Sequence, residues 1–232
     1  MILSPEYMGI YVISGIFMLI GWLVGSRLKA RMKEYSQIRT RSGFTGKQVA
    51  EAMLRANGIN DVKVTGVDGF LTDHYNPLTK TVNLSPEVYN TPSVAAAAVA
   101  AHEVGHAVQH ARGYAWLTMR SALVPVVRIS GFLVQFVIIA GILLINTFPD
   151  LLLAGIFLFA ATTLFTVITL PVEFDASRRA LVWLQESQIA TGREYEMARN
   201  GLRWAASTYI VAALQSVATL LYYIMIYLAR RR

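Results

Sequence analysis

Four long stretches without any charged residue divide this 232-residue chain. They cover residues 7–26, 129–149, 151–172 and 204–229. Each reaches about the 20 residues that a helix needs to cross a hydrocarbon core about 30 Å thick. The pattern therefore predicts a mainly α-helical integral membrane protein with about four transmembrane helices.

The polar segment after the first apolar stretch shows shorter patterns, typical of a small α+β domain. A helix is predicted within residues 42–59, where apolar side chains recur on one face and Gly58 marks its end. Two β-type runs follow at 62–67 and 81–84, which we interpret as a hairpin or meander. The dipeptide Asn76-Pro77 between them predicts a turn. A long helix is then predicted to start at Pro92.

The second and third apolar stretches are joined only by NTFPD (146–150), so they are predicted to form a transmembrane hairpin. Pro171 lies at the end of this hairpin and has no backbone N–H to donate to the preceding turn. It therefore predicts a kink or a new helix start at the membrane edge. In that interpretation Glu173 lies in a first helical turn.

Charge predicts the orientation of the chain. Six Lys or Arg residues lie between Arg27 and Arg41, and basic residues stay preferentially in the cytoplasm. This places the N-terminus outside the cell and the polar segment inside. Four spans from an outside N-terminus would place the basic segment ARRR (229–232) outside as well, against the preference of basic residues for the cytoplasm. The alternative to a fourth span is therefore a last segment that is re-entrant or lies at the membrane interface.

The composition also indicates which partners to expect. Only 15% of the residues are charged, against about a quarter in a typical soluble domain. The net charge of +7 comes largely from the predicted cytoplasmic side, where it suits anionic lipid headgroups. No nucleic-acid partner is needed to explain it. The chain contains no cysteine, so any metal must be held by nitrogen and oxygen.

The segment HEVGH (102–106) matches the pattern H-E-x-x-H. On a helix its two histidines lie one turn apart on one face, so both imidazoles can bind one zinc ion, with the intervening glutamate as general base. The motif predicts His102 and His106 as ligands and Glu103 as the base. His110 continues the row but lies about 12 Å from His102 along the axis, too far to share an ion whose bonds are about 2 Å long.

A catalytic zinc ion usually has three protein ligands, so a third is required. Four residues are candidates: Asp73, His74, Glu173 and Asp175. The predicted hairpin favours Glu173, because two spans return the chain to the side of the membrane from which it entered. An ordinary interfacial charge is the alternative interpretation of this glutamate.

Three sequence blocks resemble the bacterial membrane zinc metallopeptidase family typified by YugP. They are LTDHYNPLTKTVNLSPEVY (71–89), AAHEVGHAVQ (100–109) and LPVEFDASRRALVWL (170–184), in the order of that family. The arrangement is also similar to that of HtpX-type membrane proteases. The resemblance implies a gluzincin-like enzyme of a bacterial plasma membrane. Its Zn²⁺ would be held by His102, His106 and Glu173, and Glu103 would be the catalytic glutamate.

The chain departs from the wider gluzincin pattern at one position. Those proteins place an aspartate four residues after the ligand glutamate, where it orients a ligand histidine. Here that position is Ser177, and an acidic residue occurs at Asp175 instead. The partner of the ligand histidines therefore stays open. Candidates for contacts with substrate or with the zinc ligands are Asp73, His74, Tyr75, His110, Asp175, Ser177 and Arg178.

The predicted function is a membrane-anchored zinc endopeptidase that hydrolyses proteins or peptides, membrane proteins among them, at the cytoplasmic membrane surface. Two alternatives are an intramembrane zinc protease and a non-enzymatic scaffold with a structural zinc ion. The many polar side chains around the motif argue against an intramembrane site, and Glu103 argues against a structural zinc ion, which needs no base.

The sequence predicts five divisions of the chain. They are a transmembrane anchor (1–26), a cytoplasmic zincin-like part with the HExxH helix (27–121), a transmembrane hairpin (122–172), cytoplasmic helices with the third ligand (173–207), and a last transmembrane helix with a basic tail (208–232).

Overall fold

The computed structural model describes residues 5–69 and 72–230; the start of the predicted anchor and the last two arginines of the basic tail lie outside them. Within these ranges the chain forms seven helices and three short strands. Their bounds are α1 Pro5–Ser36, α2 Gly46–Ala56, β1 Lys63–Gly66, β2 His74–Asn76, β3 Thr81–Leu84, α3 Pro86–Tyr89, α4 Val94–Ala111, α5 Ala115–Leu143, α6 Pro149–Glu186 and α7 Arg193–Arg230.

The chain divides into two compact units. The first, called the apolar unit here, contains Met1–Leu23, Met119–Leu170 and Thr208–Arg232. The second, called the polar unit, contains Val24–Thr118 and Pro171–Ser207. Each of the four longest helices contributes residues to both units.

Four helices of the described residues are long and apolar enough to cross a membrane, which confirms that part of the predicted fold class. The stretches are Met8–Ser36, Ala115–Leu143, Pro149–Glu186 and Arg193–Ala229. α6 and α7 each contain 38 residues, or about 57 Å at 1.5 Å per residue, and so exceed the thickness of a bilayer core. α7 has no break, which favours a full span over a re-entrant segment.

The apolar unit is held together by close contacts between its helices. Gly141 of α5 faces the start of α6 so closely that an added Cβ would lie 2.6 Å from the backbone N and Cα of Leu152. Small residues commonly allow such backbone contact between membrane helices. On α6 and α7, the hydroxyl oxygens of Thr163 and Ser216 lie 2.8 Å apart.

α6 continues through Pro171 as one helix, so the predicted new helix start at this proline is wrong. A proline removes one backbone hydrogen bond, but long membrane helices tolerate this because neighbouring groups compensate for the loss. Glu173 therefore lies in the interior of a continuous helix rather than in a first turn. The boundary between the two units still falls between Leu170 and Pro171.

The sheet of the polar unit differs from the predicted hairpin. Its strand order is β1-β3-β2, with β1 parallel to β3, so the two β-type runs that were predicted to form a hairpin or meander are parallel neighbours. The antiparallel partner of β3 is β2, a strand that the sequence pattern missed because it has only three residues and no alternation. The predicted turn after it is confirmed: Asn76 Oδ1 accepts hydrogen bonds from the backbone N–H groups of Leu78 and Thr79.

α4 is the central helix of the polar unit, with 14 of its 18 residues buried. The small alanine side chains of its first half allow neighbouring elements such as α2 to pack closely against it. The helix begins at Val94 rather than at Pro92. Ser93 caps it, because its hydroxyl accepts a hydrogen bond from the backbone N–H of Ala96 at 3.1 Å.

We expect Gly141→Ala to destabilise the apolar unit, because its methyl group would overlap the backbone of α6. Overpacking of this kind destabilises by about 1–3 kcal/mol. The measurement is the thermal midpoint of the purified protein in detergent, which should fall. Gly131→Ala is the control, since nothing lies within 4 Å of its added Cβ on the same helix. Equal midpoints for the two variants would contradict the contact.

Candidate metal centre

α4 presents His102 and His106 side by side on one face. The residues are four positions apart, and their ring centroids lie 4.8 Å apart at an interplanar angle of 81°. His106 is buried and His102 is half-buried. The helical spacing in the sequence thus produces two imidazoles that face a common point.

The Glu173 carboxylate from α6 meets this pair. Its Oε2 lies 3.3 Å from His102 Nε2 and 3.6 Å from His106 Nε2. One candidate ligand atom from each residue lies within 4.8 Å of the other two. Bonds of about 2.0–2.1 Å in tetrahedral geometry separate two zinc ligands by about 3.3 Å. Small adjustments would therefore let these three side chains hold one zinc ion.

A glycine allows the two helices to approach at this point. A Cβ added to Gly105 would lie 2.6 Å from the carbonyl oxygen of Ala176 and 3.1 Å from its Cα. Gly105 is one residue before His106, and Ala176 is three residues after Glu173. The glycine, which lowers the helix propensity by about 1 kcal/mol relative to alanine, thus allows contact between backbones beside the ligand group.

Both histidines use their second ring nitrogen for a hydrogen bond. His102 Nδ1 lies 3.1 Å from Ser177 Oγ, and His106 Nδ1 lies 3.1 Å from Gln109 Oε1. Each ring therefore directs Nε2 towards Glu173. Two imidazole nitrogens and one carboxylate oxygen form a donor set that suits zinc, and hydrogen bonds on the far ring nitrogens are typical of zinc ligands.

The electrostatics of this site favour a cation. Burial by itself lowers the pKa of His106, but the hydrogen bond with Glu173 and the negative charge of Glu103 outweigh it, so the pKa is held above the ordinary value for histidine. The charges that favour a proton on this imidazole equally favour a divalent cation beside it.

Glu103 is buried next to the ligand group but is not part of it. Its Oε2 accepts a hydrogen bond of 2.9 Å from the backbone N–H of Tyr75 in the edge strand β2. A carboxylate that is held beside a metal site without being a ligand remains available as a proton acceptor.

Two of the four candidate third ligands have other roles in the polar unit. The Asp73 carboxylate accepts hydrogen bonds from the backbone N–H and the hydroxyl of Ser85. The His74 ring lies between the carbonyl oxygen of Thr72 and the amide nitrogen of Asn83. These contacts stabilise the ends of the sheet, and neither residue belongs to the ligand group.

The remaining candidates lie around the ligand group. The Tyr75 hydroxyl is 2.8 Å from Nδ1 of His110, an exposed residue one turn beyond His106. Partial burial raises the pKa of the Tyr75 hydroxyl, which therefore keeps its proton at neutral pH. Arg178 donates a hydrogen bond of 2.8 Å to the carboxylate of Asp175.

Sequence reasoning assigned no role to Gln109, although this side chain is fully buried beside His106. A signal was present, because position 109 lies three residues after His106 and so on the same face of the helix. A polar residue on the buried face of an alanine-rich helix requires hydrogen-bond partners.

Comparison with known proteins agrees with this geometry. Residues 10–228 match the family described as "Putative neutral zinc metallopeptidase". The chain belongs to this family. It is also 40% identical over 205 residues to the "Putative membrane protease YugP" of Bacillus subtilis (strain 168), which covers 88% of this chain and 90% of that relative. No solved structure matches the chain.

The resemblance seen in the three sequence blocks is therefore confirmed. The protein is a member of the zinc metallopeptidase family, is related to a membrane protease, and itself has four membrane-length helices among its described residues. It is therefore a membrane peptidase whose cofactor is Zn²⁺. The cluster of His102, His106 and Glu173 fits this metal in ligand type and spacing.

We expect Gly105→Ala to weaken zinc binding, because the added methyl group would push α6 away from α4 and Glu173 away from both histidines. The measurement is zinc affinity, by competition with a chelator, together with thermal stability in detergent. Gly25→Ala is the control, since its added Cβ meets nothing within 4 Å. Unchanged affinity in Gly105→Ala would show that the close approach does not set the ligand geometry.

Proposed function

We propose that the protein is a membrane-anchored zinc endopeptidase of the HExxH, gluzincin type, acting on proteins or peptides at the cytoplasmic membrane surface. The observation that supports this most directly is the approach of Glu173 Oε2 to both imidazoles, at 3.3 and 3.6 Å. It provides three protein ligands, the number typical of catalytic rather than structural zinc sites.

In this proposal His102, His106 and Glu173 hold the metal. When bound, zinc supplies a Lewis acid that polarises the scissile carbonyl group and lowers the pKa of water. The buried position of Glu173 limits access of bulk water, so its charge acts on the site with little screening.

Glu103 is the general base. It takes a proton from the attacking water molecule and passes it to the nitrogen of the leaving amine. The hydrogen bond from the Tyr75 amide holds one carboxylate oxygen, Oε2. Oε1 is then the atom that we assign to proton transfer.

The edge strand provides groups for substrate binding. β2 lies at one end of the strand order and packs against α4, so an extended peptide can pair with this edge through main-chain hydrogen bonds. The Tyr75 hydroxyl from this strand is the candidate that stabilises the negative charge on the carbonyl oxygen. His74 and Arg178 are alternative candidates; their side chains contact Asn83 and Asp175, as the Tyr75 hydroxyl contacts His110. We prefer Tyr75 because its backbone N–H holds Glu103, the proposed base.

The location of the ligand group favours a surface protease over an intramembrane one. All three ligands belong to the polar unit, which contains the charged segments 27–63 and 173–203. The basic residues in the first of these segments favour the cytoplasmic side and contact with anionic lipids. A structural zinc in a scaffold protein is less well supported, because Glu103 is unnecessary for it.

We expect Glu103→Gln to abolish peptide hydrolysis and to leave zinc content unchanged, because the amide cannot accept the proton. Glu173→Gln should instead lower zinc affinity, because it removes the anionic ligand. The measurements are casein cleavage and metal content of the purified full chain. Glu186→Gln, at the exposed end of the same helix as Glu173, is the control. Normal cleavage by Glu103→Gln would exclude hydrolysis by this site.

We expect Tyr75→Phe to lower kcat by about 10²-fold with little change in KM or in zinc content, because an oxyanion donor acts mainly in the transition state. The measurement is steady-state cleavage of a fluorogenic peptide. Tyr195→Phe, on α7, is the matched control. An unchanged kcat would assign charge stabilisation to another group.

A further inference from the structure

Gln109 of α4 has every polar atom engaged, although its side chain is fully buried. Its Nε2 donates to the carbonyl oxygen of Val172 at 2.8 Å and to Oδ2 of Asp175 at 2.9 Å. Both partners are acceptors, so the NH₂ group of the amide must face them. Oε1 must then face the remaining partner, Nδ1 of His106, at 3.1 Å.

This orientation determines the tautomer of His106. An amide oxygen only accepts hydrogen bonds, so the proton of the neutral ring lies on Nδ1 and the lone pair lies on Nε2. Nε2 is the atom that lies 3.6 Å from Glu173 Oε2. Gln109 thus prepares the ligand nitrogen for a metal.

Asp175 fixes Gln109 in turn. Its carboxylate is buried and also accepts hydrogen bonds from Arg178 Nη2 at 2.8 Å and from Arg179 Nε at 2.5 Å. Hydrogen bonds to an ionised group are stronger than neutral ones, and chains of hydrogen bonds polarise one another. Asp175 therefore holds the amide in one orientation and strengthens Oε1 as an acceptor for His106.

We propose that Gln109 and Asp175 are positioning residues for the zinc site: Asp175 acts on His106 through Gln109, while Ser177 acts directly on His102. This inference rests on the proposed function only in taking His106 as a zinc ligand. It explains how the chain can have serine at position 177, where gluzincins have aspartate. The acidic residue lies two positions earlier, at Asp175, and contacts His106 through the Gln109 amide.

Gln109 also links α4 to α6 through Val172, so a purely structural role must be distinguished from a role in metal binding. The test uses the full chain purified in detergent. It measures the zinc dissociation constant by competition with a chelator, alongside the thermal midpoint of the metal-free protein. Gln109→Met keeps the side-chain volume and removes all three hydrogen bonds. Gln185→Met, at an exposed position of α6, is the control.

We expect Gln109→Met to weaken zinc binding 10–100-fold, the usual effect of losing a partner of a ligand histidine. Because Gln109 and Asp175 act in series, Gln109→Met/Asp175→Asn should bind zinc as weakly as Gln109→Met alone. Because Ser177 acts on the other histidine, the effects of Gln109→Met and Ser177→Ala should multiply in the double variant.

A spectroscopic measurement tests the hydrogen bonds of the two Nδ1 atoms directly. In the cobalt-substituted protein, the Nδ1 protons of both ligand histidines should give shifted, exchangeable proton resonances. We expect Gln109→Met to speed exchange of one resonance and Ser177→Ala to speed exchange of the other. Unchanged exchange of both resonances in Gln109→Met would overturn the hydrogen bond from His106 Nδ1 to Gln109 and with it the inference.

The outcomes separate this inference from the proposed function. A lowered thermal midpoint with wild-type zinc affinity in Gln109→Met would leave Gln109 a structural residue and overturn the inference, while the zinc site would stand. If instead His106→Ala and Glu173→Ala bind zinc as the wild type does, the site itself is wrong. If Gln109→Met does not fold, the zinc affinity of Asp175→Asn tests the inference instead. Wild-type zinc affinity in Asp175→Asn would overturn it.

Discussion

The contact of α4 with α6 at Gly105 is the constraint on which the metal centre depends. The Ala176 carbonyl group lies where a side chain at position 105 would be, so the two backbones approach as closely as sterics allow. At that distance Glu173 Oε2 lies 3.3 and 3.6 Å from Nε2 of the two histidines. Burial of a carboxylate without partners is strongly unfavourable, so the two histidines that face Glu173 also stabilise the packing of the helices.

The three candidate ligands lie on long regular helices rather than on loops. His102 and His106 belong to a helix that is buried on nearly all sides, and Glu173 belongs to a helix of 38 residues. Groups on packed helices are held more precisely than groups on loops, which suits the proposed metal site and general base. The first half of α6 is apolar enough to cross a membrane, and its second half carries Glu173.

Sequence reasoning succeeded where a local periodic pattern was sufficient. The four charge-free stretches predicted the membrane-length helices, and H-E-x-x-H predicted the shared face of two histidines. The predictions were wrong where the structure depends on residues that are distant in the sequence. The parallel pairing of β1 with β3 depends on β2, a strand of three residues without a pattern. α6 also continues through Pro171, although local propensity strongly disfavours proline inside a helix.

By itself the sequence determined the kinds of ligand, their helical spacing and the membrane character, since composition and period are local properties. The tertiary structure decided which carboxylate joins the histidines. It also decided that Ser177 and Gln109, rather than an aspartate, contact their outer nitrogens. Residues 66 positions apart, such as Gln109 and Asp175, meet only through packing of whole helices. No pattern along the chain encodes that distance, because it is set by the small side chains that let the helices approach.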